Sequence, residues 1–290
     1  MPTVVIPAYN EEKGIARCLR SVLADGVEDL VVVVVPNACR DATADRAREV
    51  AAPAGAKVLV VETAEGGKTN AINLGERALR EAGFDRFPRL FLDGDIELAP
   101  GSLRALFARA AVDAPTVCAA TPDFDASRST GPVRCFYAVE HFNPYHGRGA
   151  PNGSGTYCVN AAGRARWSDF PPIIADDSFV ERQFAPAERH TVAGARARVF
   201  VPRSLAALRR ISARKRLGAY ELERYAPART DDLSSGGTFR TVFLACARRP
   251  WLLPAFAVWA SVKVVERLES RAVSRKSGQD RWQHDTSSRE

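Results

Sequence analysis

The chain has 290 residues, of which 46% are hydrophobic and 26% are charged. This composition is ordinary for a globular protein and excludes a chain too polar to build a core, so we expect one large α/β domain or two smaller ones. The net charge of +7 suits an anionic ligand or an anionic membrane surface. It would also suit nucleic acid, but the sequence has no helix-turn-helix, zinc-finger or aromatic RNA-binding signature. We therefore predict no nucleic-acid partner.

The six cysteines form no C-x-x-C pair, and Cys18 falls on the apolar face of a predicted helix. This usage is typical of buried free thiols in a reducing cytoplasm. The chain opens directly into a predicted strand without a signal-peptide pattern, so we expect a cytoplasmic protein. The abundance of alanine and arginine suggests a GC-rich bacterial genome.

The first part of the chain alternates between strands and helices. Apolar runs predict strands at 3–6, 31–35, 57–61, 89–92 and 116–121. Five consecutive valines, Val31 to Val35, predict a central strand buried on both faces, because β-branched residues run there without polar alternation. Helices are predicted between the strands, the first capped by Asn10, the second capped by Asp41 and ended by Pro53. This repeated pattern predicts an α/β fold with a mainly parallel sheet and helices on both faces.

The pattern changes after Pro122. Residues 122–160 are rich in Gly, Pro, Asn, Ser and aromatic residues, which predicts loops and binding surfaces. Regular structure is expected again at 157–160, 178–184 and 197–201, followed by a basic helix at 205–217. Residues 251–262 are almost wholly apolar and lie between basic residues, but a spanning helix needs about 20 apolar residues. This segment is either a helix packed on the domain or one lying in a membrane interface, and the tail from Ser274 is expected to be disordered.

Two acids at the end of a predicted buried strand carry the main chemical signal. The apolar residues at 90–92 run directly into Asp93, Gly94 and Asp95. Two carboxylates held this close repel each other, which favours a divalent cation between them. Because open α/β sheets bind ligands beyond the carboxyl ends of their strands, that cation could hold a diphosphate. The alternative is a turn in which these residues only satisfy backbone geometry.

Four other motifs follow predicted strands or open predicted helices, at residues 5–12, 35–43, 66–75 and 174–180. In the second, Asn37 could hydrogen-bond a nucleobase or only shape a turn. In the third, Lys68 follows two glycines and could meet a phosphate or be a solvated loop lysine. In the fourth, Asp176 and Asp177 form an acidic pair that suits a general base or an ordinary first helical turn.

In this order the motifs resemble family 2 glycosyltransferases of the GT-A fold, and the resemblance covers about residues 4–218. It implies a GT-A, Rossmann-like α/β fold with a helical C-terminal extension. It also implies an inverting, hexosyl- or related transferase with a nucleoside-diphosphate-sugar donor, Mn²⁺ or Mg²⁺, and a hydroxyl acceptor. That acceptor could be a glycan, a lipid-linked molecule or a small molecule, and the enzyme could sit peripherally on the inner face of the cell membrane through residues 249–267.

The resemblance assigns a role to each matching position. The implied roles are a nucleoside pocket at Pro7, Tyr9 and Glu11, a base contact at Asn37, a nucleotide contact at Lys68, a ribose or metal contact at Asp93, a metal ligand at Asp95, a catalytic base at Asp177 beside Asp176, and an acceptor loop at Gly153, Ser154 and Gly155.

Two departures from the family pattern narrow the expectation. Pro36 stands where many members have a base-contacting Asp, which weakens a specific claim for a UDP-sugar. The chain has no Gln-x-x-Arg-Trp motif, so we expect non-processive transfer.

We divide the chain into a nucleotide-sugar-binding half at 1–121, an acceptor-binding and catalytic-base half at 122–235, and a helical extension with a tail at 236–290.

Three other functions are weaker alternatives. A sugar nucleotidyltransferase normally has a Gly-rich basic loop after its first strand, and a dehydrogenase has a glycine fingerprint there. Residues 7–12 contain neither pattern. The third alternative is a non-catalytic nucleotide-sugar-binding protein on the same fold, because a fold does not guarantee a function.

Overall fold

The computed structural model describes residues 1–147, 149–225 and 235–273. Its main feature is one eight-stranded sheet, ordered β3-β2-β1-β4-β7-β6-β8-β5. The strands are β1 (Thr3–Ala8), β2 (Leu30–Pro36), β3 (Ala56–Val60), β4 (Arg89–Leu92), β5 (Ile96–Leu98), β6 (Val117–Asp125), β7 (Thr156–Val159) and β8 (Arg189–Phe200). Strand β1 pairs in parallel with β2 and with β4, and β2 pairs in parallel with β3. Strand β7 runs antiparallel to β4 and to β6, and β5 runs antiparallel to β8.

The helices come mostly between these strands and after the last one. They are α1 (Ile15–Leu23), α2 (Thr43–Arg48), α3 (Lys68–Glu81), α4 (Ser102–Ala110), α5 (Gly131–Glu140), α6 (Ala161–Arg164), α7 (Asp176–Arg182), α8 (Leu205–Leu222), α9 (Ser235–Ala247) and α10 (Leu253–Val273). Within the described ranges, no helix is both long enough and apolar enough to cross a bilayer.

The chain divides into two compact units. The first contains residues 1–123 and 149–199, and the second contains residues 124–147, 200–225 and 235–273. These limits do not follow the segments predicted from the sequence, because residues 122–235 contribute to both units. The functional division proposed for the segments therefore stays a prediction.

Strand β2, in the parallel part of the sheet, is buried on both faces, as the valine run predicts. Every residue of β2 is buried. Val32 and Val34 belong to the core cluster that also contains the apolar faces of α1 and α4. Val33 and Val35 alternate with them and face α3, where they lie close to Gly75. A mainly parallel sheet with helices on both faces, and a helical C-terminal part, are thus confirmed, while the antiparallel pairings of β5 to β8 were not predicted.

Several local predictions were wrong. Helix α1 begins at Ile15 with Gly14 at its N-cap, not at Asn10. Asn10 instead takes a left-handed conformation with φ 53°, and its side-chain oxygen accepts a hydrogen bond from the Arg40 amide at 2.9 Å. Helix α2 ends at Arg48, before Pro53. The region 122–160 contains helix α5, because Pro at the start of that helix and a buried apolar face outweigh the loop-rich composition.

Other predictions from the sequence held. The six cysteines are free, and Cys18 is buried on α1. Trp167 packs in an aromatic cluster, edge-on to the rings of Phe170, Phe179 and Phe184. The tail from Ser274 lies outside the described residues, as does the stretch 226–234.

The second unit is a helical cluster with its own core, formed by α5, α8, α9 and α10. At its centre the Trp259 indole N–H donates to Glu140 Oε2 at 2.6 Å, and Lys263 Nζ lies 3.5 Å from the same oxygen. Burial works to raise the pKa of Glu140, but hydrogen bonds from His146 and Trp259 and the charge of Lys263 lower it to about 2. The carboxylate therefore stays charged and ties α5 to α10.

Candidate active site

The carboxyl ends of the parallel strands bring the first motifs to one edge of the sheet. Val5 pairs with Phe91, and Ala8 pairs with Pro36. The residues that follow β1, β2 and β4 therefore emerge side by side. A Cβ placed on Gly94 would lie 3.4 Å from Ala8 Cβ and 3.4 Å from Glu11 Cγ, so the motifs at 5–12 and 90–95 are in contact, as the parallel register predicts.

Lys68 joins two acids that are far apart in the sequence. Its Nζ lies 2.6 Å from Asp93 Oδ1 and 2.9 Å from Asp176 Oδ1. Lys68 opens α3, Asp93 follows β4, and Asp176 opens α7. Three elements thus place one cation between two carboxylates, and Asp176 is only 2% exposed.

Tyr157 completes this cluster from the antiparallel part of the sheet. Its hydroxyl donates to Asp176 Oδ2 at 3.0 Å. Strand β7 positions it, because Tyr157 pairs with Phe91 across the sheet and their rings stack with centroids 4.9 Å apart. Both oxygens of Asp176 are therefore held by donors.

Burial and charge act against each other in the cluster. Burial raises the pKa of Asp176, and the charges of Asp177 and Asp93 raise it further, while Lys68 lowers it. Burial also works to lower the pKa of Lys68, but the attraction of Asp176 and Asp93 is stronger and raises it above its ordinary value. Tyr157 has its pKa raised by burial and by Asp176, so it is a hydrogen-bond donor in the neutral form. The lysine stays protonated throughout the ordinary pH range.

Asp177 differs from its neighbour in that its side chain is partly exposed. One of its oxygens, Oδ1, accepts a hydrogen bond from the Ser178 amide at 2.7 Å. Its charge acts on both Lys68 and Tyr157, so it belongs to the same cluster. Of the acidic pair, Asp176 is locked in the ion pair and Asp177 is the carboxylate that solvent can reach.

Asp95 lies on the side of helix α1. A Cβ placed on Gly14 would be 3.6 Å from its Cα. Burial raises the pKa of the Cys18 thiol, and Asp95 is the charge that raises it most. The charge of Asp93 also acts on Cys18, and Asp93 in addition forms the ion pair with Lys68.

Asp93 and Asp95 have the hard oxygen donors that a divalent cation such as Mg²⁺ prefers. The described residues contain no group of three or more acidic, His or Cys side chains able to hold a metal ion. Mg²⁺ is commonly bound through one or two carboxylates, with substrate phosphates completing its coordination. Asp95, together with Asp93, matches that limited set of hard oxygen donors.

Asn37 has a structural role that the sequence left open. It is 2% exposed, its side-chain nitrogen donates to the Ala8 carbonyl at 2.7 Å, and its side-chain oxygen accepts from the Gly67 amide at 3.1 Å. These bonds tie the ends of β1 and β2 to the loop before Lys68. This geometry supports the turn-shaping interpretation, and the base contact at Asn37 stays a prediction. Pro7 is likewise buried in β1, whereas Tyr9 is partly exposed.

The loop at 153–155 is hydrogen-bonded to the backbone of Asp93. The Gly155 carbonyl accepts from the Asp93 amide at 3.0 Å. Gly155 has φ +68°, and a Cβ there would lie 2.7 Å from Ile96 Cγ1, so the turn requires glycine. Ser154 is fully buried, with its hydroxyl 2.7 Å from that of Thr156. Its side chain is therefore not presented to an acceptor, whereas Gly153 and Gly155 on either side of it are partly exposed.

Helix α3 is held in place by contacts on two sides. Gly75 lets it approach the sheet, because a Cβ there would lie 2.9 Å from Val5 Cγ1 and 3.0 Å from Val35 Cγ2. On another side, Asn73 makes a two-way hydrogen bond with the Phe170 backbone, donating to its carbonyl and accepting from its amide, both at 2.9 Å. Phe170 lies in the segment that leads to α7, so this bond links the helix of Lys68 to the segment before Asp176.

A family comparison agrees with this arrangement. The model of glycosyl transferase family 2 matches residues 3–166, more than half of the chain. The chain belongs to glycosyl transferase family 2. The resemblance inferred from the motifs is thereby confirmed.

The individual proteins that resemble this chain match it over a short stretch or at low sequence identity. An uncharacterized glycosyltransferase, EpsJ, of Bacillus subtilis (strain 168) is 32% identical over 96 residues, which is 32% of this chain and 25% of that protein. Among solved structures, glucosyl-3-phosphoglycerate synthase of Mycobacterium tuberculosis in complex with UDP has a TM-score of 0.53 at 18% identity, covering 79% of this chain and 81% of that one. A structure described as a mycobacterial protein has a TM-score of 0.51 at 18% identity, covering 80% and 76%. At these identities the structures support the GT-A fold and no more.

Sequence reasoning missed Tyr157 and the role of Asn73. Asn73 lies within the motif at 66–75, but nothing in that pattern identifies the Phe170 backbone as its partner. Tyr157 was predicted only as part of a stretch of regular structure at 157–160. Its role depends on the antiparallel pairing of β7 with β4, for which the local sequence has no signal.

Proposed function

We propose that this protein is a glycosyltransferase that moves a sugar from a nucleoside-diphosphate donor to an acceptor hydroxyl, non-processively and with inversion at the anomeric carbon. The observation that carries the proposal is the convergence of Lys68, Asp93 and Asp176 at the carboxyl edge of the parallel strands, beside the accessible carboxylate of Asp177. Family membership and the GT-A fold support it. Pro7, Tyr9 and Glu11 would line the nucleoside side of the site.

In the proposed reaction, Asp177 takes the proton of the acceptor hydroxyl as its oxygen attacks the anomeric carbon. The bond between that carbon and the diphosphate oxygen breaks, and the nucleoside diphosphate leaves with the electron pair. Asp177 suits the base because its carboxylate is partly exposed, and a positioned base contributes about 10²–10⁴-fold to the rate. Asp176 positions Lys68, whose charge faces the region where the diphosphate would lie.

Asp95 and Asp93 are the residues that would hold a divalent cation, Mn²⁺ or Mg²⁺. Such a cation stabilises negative charge on a departing diphosphate. Lys68 already neutralises Asp93, so Asp95 is the carboxylate we expect to matter more for metal affinity.

The donor base, the sugar and the acceptor are open within this proposal. Glucosyl-3-phosphoglycerate synthase was solved with UDP, so uridine nucleotides are the first to test, although Pro36 departs from the pattern typical of base contact. The acceptor could be a glycan, a lipid-linked molecule or a small molecule, and Gly153 and Gly155 are the partly exposed residues of the loop predicted to meet it. A cytoplasmic location, with peripheral membrane contact, belongs to the proposal as well.

The first test is thermal stabilisation by nucleoside diphosphates with and without Mn²⁺, because a ligand raises stability according to its affinity. We expect one diphosphate to stabilise the protein more when Mn²⁺ is present, and Asp95→Ala to abolish that metal-dependent increment. Asp113→Asn, a change at an exposed acid, is the matched control. If no nucleoside diphosphate stabilises the wild-type protein, the proposal is wrong.

The second test separates catalysis from binding. Asp177→Asn should lower the rate of donor turnover, including slow hydrolysis by water, by about 10²–10⁴-fold while nucleotide binding is kept. Near-normal turnover by that variant would remove Asp177 from the role of base. Binding without any turnover by the wild-type protein would favour the non-catalytic alternative, and release of pyrophosphate would favour a nucleotidyltransferase.

A further inference from the structure

Helix α10 has an apolar face on each side. Its inner face is in the core of the second unit, where Trp259 is 2% exposed and Val262 is 5% exposed. Its outer face, which we define as Leu253, Ala257, Val264 and Leu268, points away from that core and is exposed. An apolar face that is not covered by the core of its own unit is a candidate contact surface for another apolar partner.

The exposure of this outer face is large. Leu253 is 42% exposed, Val264 is 54% exposed and Leu268 is 59% exposed. Trp251, in the turn just before α10, is 73% exposed. The end of α9 adds further exposed apolar side chains beside that turn, with Phe243 at 44%. Large apolar side chains that follow helical spacing on a surface mark an interaction site more than chance exposure.

Positive charge surrounds the same helices. The described part of the second unit, residues 124–147, 200–225 and 235–273, contains fifteen Lys and Arg residues but only six Asp and Glu residues. Arg248 is exposed in the turn before Trp251, and Arg267 is exposed on α10 next to Leu268. The excess of positive charge therefore lies in the same unit as the apolar face, and Arg248 and Arg267 are the exposed basic residues next to that face in the sequence.

We propose that the outer face of α10, with Trp251 at its start, docks on an anionic lipid bilayer surface. The apolar side chains would enter the boundary between headgroups and acyl chains, and the surrounding basic residues would meet the lipid phosphates. Tryptophan favours that boundary, because its ring is apolar and its N–H is polar. No described helix is able to span a bilayer, so the contact is interfacial.

A second copy of this chain fits the face less well. A two-fold contact through α10 would bring the arginines of both copies together, and like charges at an interface oppose association. An anionic bilayer would instead attract these arginines. The inference does not depend on the sugar chemistry, since the docking face contains none of the residues of the proposed active site.

The test is co-sedimentation of the full chain with large unilamellar vesicles, either of phosphatidylcholine alone or of equal parts phosphatidylcholine and phosphatidylglycerol. We expect binding to the anionic vesicles that weakens as salt is added. Trp251→Ser and, separately, Val264→Glu should each weaken binding by about tenfold or more. Arg248→Glu should weaken it by about fivefold or more, since each basic residue near an anionic surface contributes about that factor.

Matched controls keep the result specific. Val112→Ser changes a residue that is 42% exposed in the first unit, and Arg20→Glu reverses an exposed charge on α1. Both should bind vesicles as the wild type does. Circular dichroism and nucleotide binding check that every variant is folded, so a failed nucleotide assay in the wild type would be recognised separately from failed docking.

Three results would overturn the inference. The first is wild-type protein that does not bind anionic vesicles. The second is binding that survives both Trp251→Ser and Val264→Glu. The third is a wild-type dimer in lipid-free sedimentation that Val264→Glu converts to a monomer, which would assign the face to self-association.

Discussion

Replacing Lys68 by methionine tests the central ion-pair cluster most directly. The change keeps the length of the side chain and suits the first turn of α3, but it removes the charge between Asp93 and Asp176. Removing one partner of a buried pair costs about 3–5 kcal/mol. Lys68 keeps 26% of its side-chain surface exposed, so solvent screening reduces the cost, and we expect a loss of about 2–3 kcal/mol in the free energy of unfolding.

The loss in Lys68→Met should depend on pH in a defined direction. Burial raises the pKa of Asp176 above its ordinary 3.8 in the folded protein, and Lys68 is the group that lowers it. Without Lys68 the pKa rises further. The unfolded chain then ionises at a lower pH than the folded one, so unfolding releases a proton and stability falls as pH rises through this interval. The deficit relative to wild type should be small below about pH 4 and larger at about pH 7.

Urea unfolding followed by tryptophan fluorescence at several pH values measures this effect. Lys13→Met, a change at an exposed lysine, should match the wild type at every pH. The double variant Lys68→Met with Asp176→Asn should recover part of the lost stability, because the neutral amide needs no counter-ion. A Lys68→Met deficit that stays constant with pH, or that grows toward acid pH, would refute this account of the cluster.

Three smaller changes test how the site is held together, each by urea unfolding. Gly75→Ala should lower the free energy of unfolding by about 1–3 kcal/mol, because the added methyl group overpacks α3 against the sheet. Gly131→Ala should be close to neutral, because a Cβ there meets nothing within 4 Å. Equal effects of the two changes would contradict the close approach of α3. Asn73→Ala should cost about 1–2 kcal/mol and lower donor turnover, and unchanged values for both would show that its backbone contacts are dispensable. Tyr157→Phe should cost about 1–3 kcal/mol by removing the donor to Asp176, and a stability equal to wild type would argue against that hydrogen bond.

The sequence predicted the location of the site better than its internal contacts. Strand ends in a parallel sheet meet at one edge, so the order of the motifs was enough to bring Asp93 near residues 7–12. Asn37 and Ser154 show the limit of this reasoning. Both residues suit ligand contact by type, yet their polar groups are bonded within the protein. A side chain's partners depend on which backbone lies beside it, and residue type does not specify that.

The amino-acid sequence alone determined the family, the parallel βα core and the edge of the sheet where the acids lie, because these follow from local hydrophobic periodicity and from motifs whose order is fixed along the chain. The tertiary structure alone decided that Lys68 pairs with Asp176, that Tyr157 caps the same carboxylate, and that α10 has an exposed apolar face. Each of these depends on residues brought together from distant positions by antiparallel pairing or helix packing. Such contacts are set by the burial and geometry of the whole fold, which no local pattern encodes.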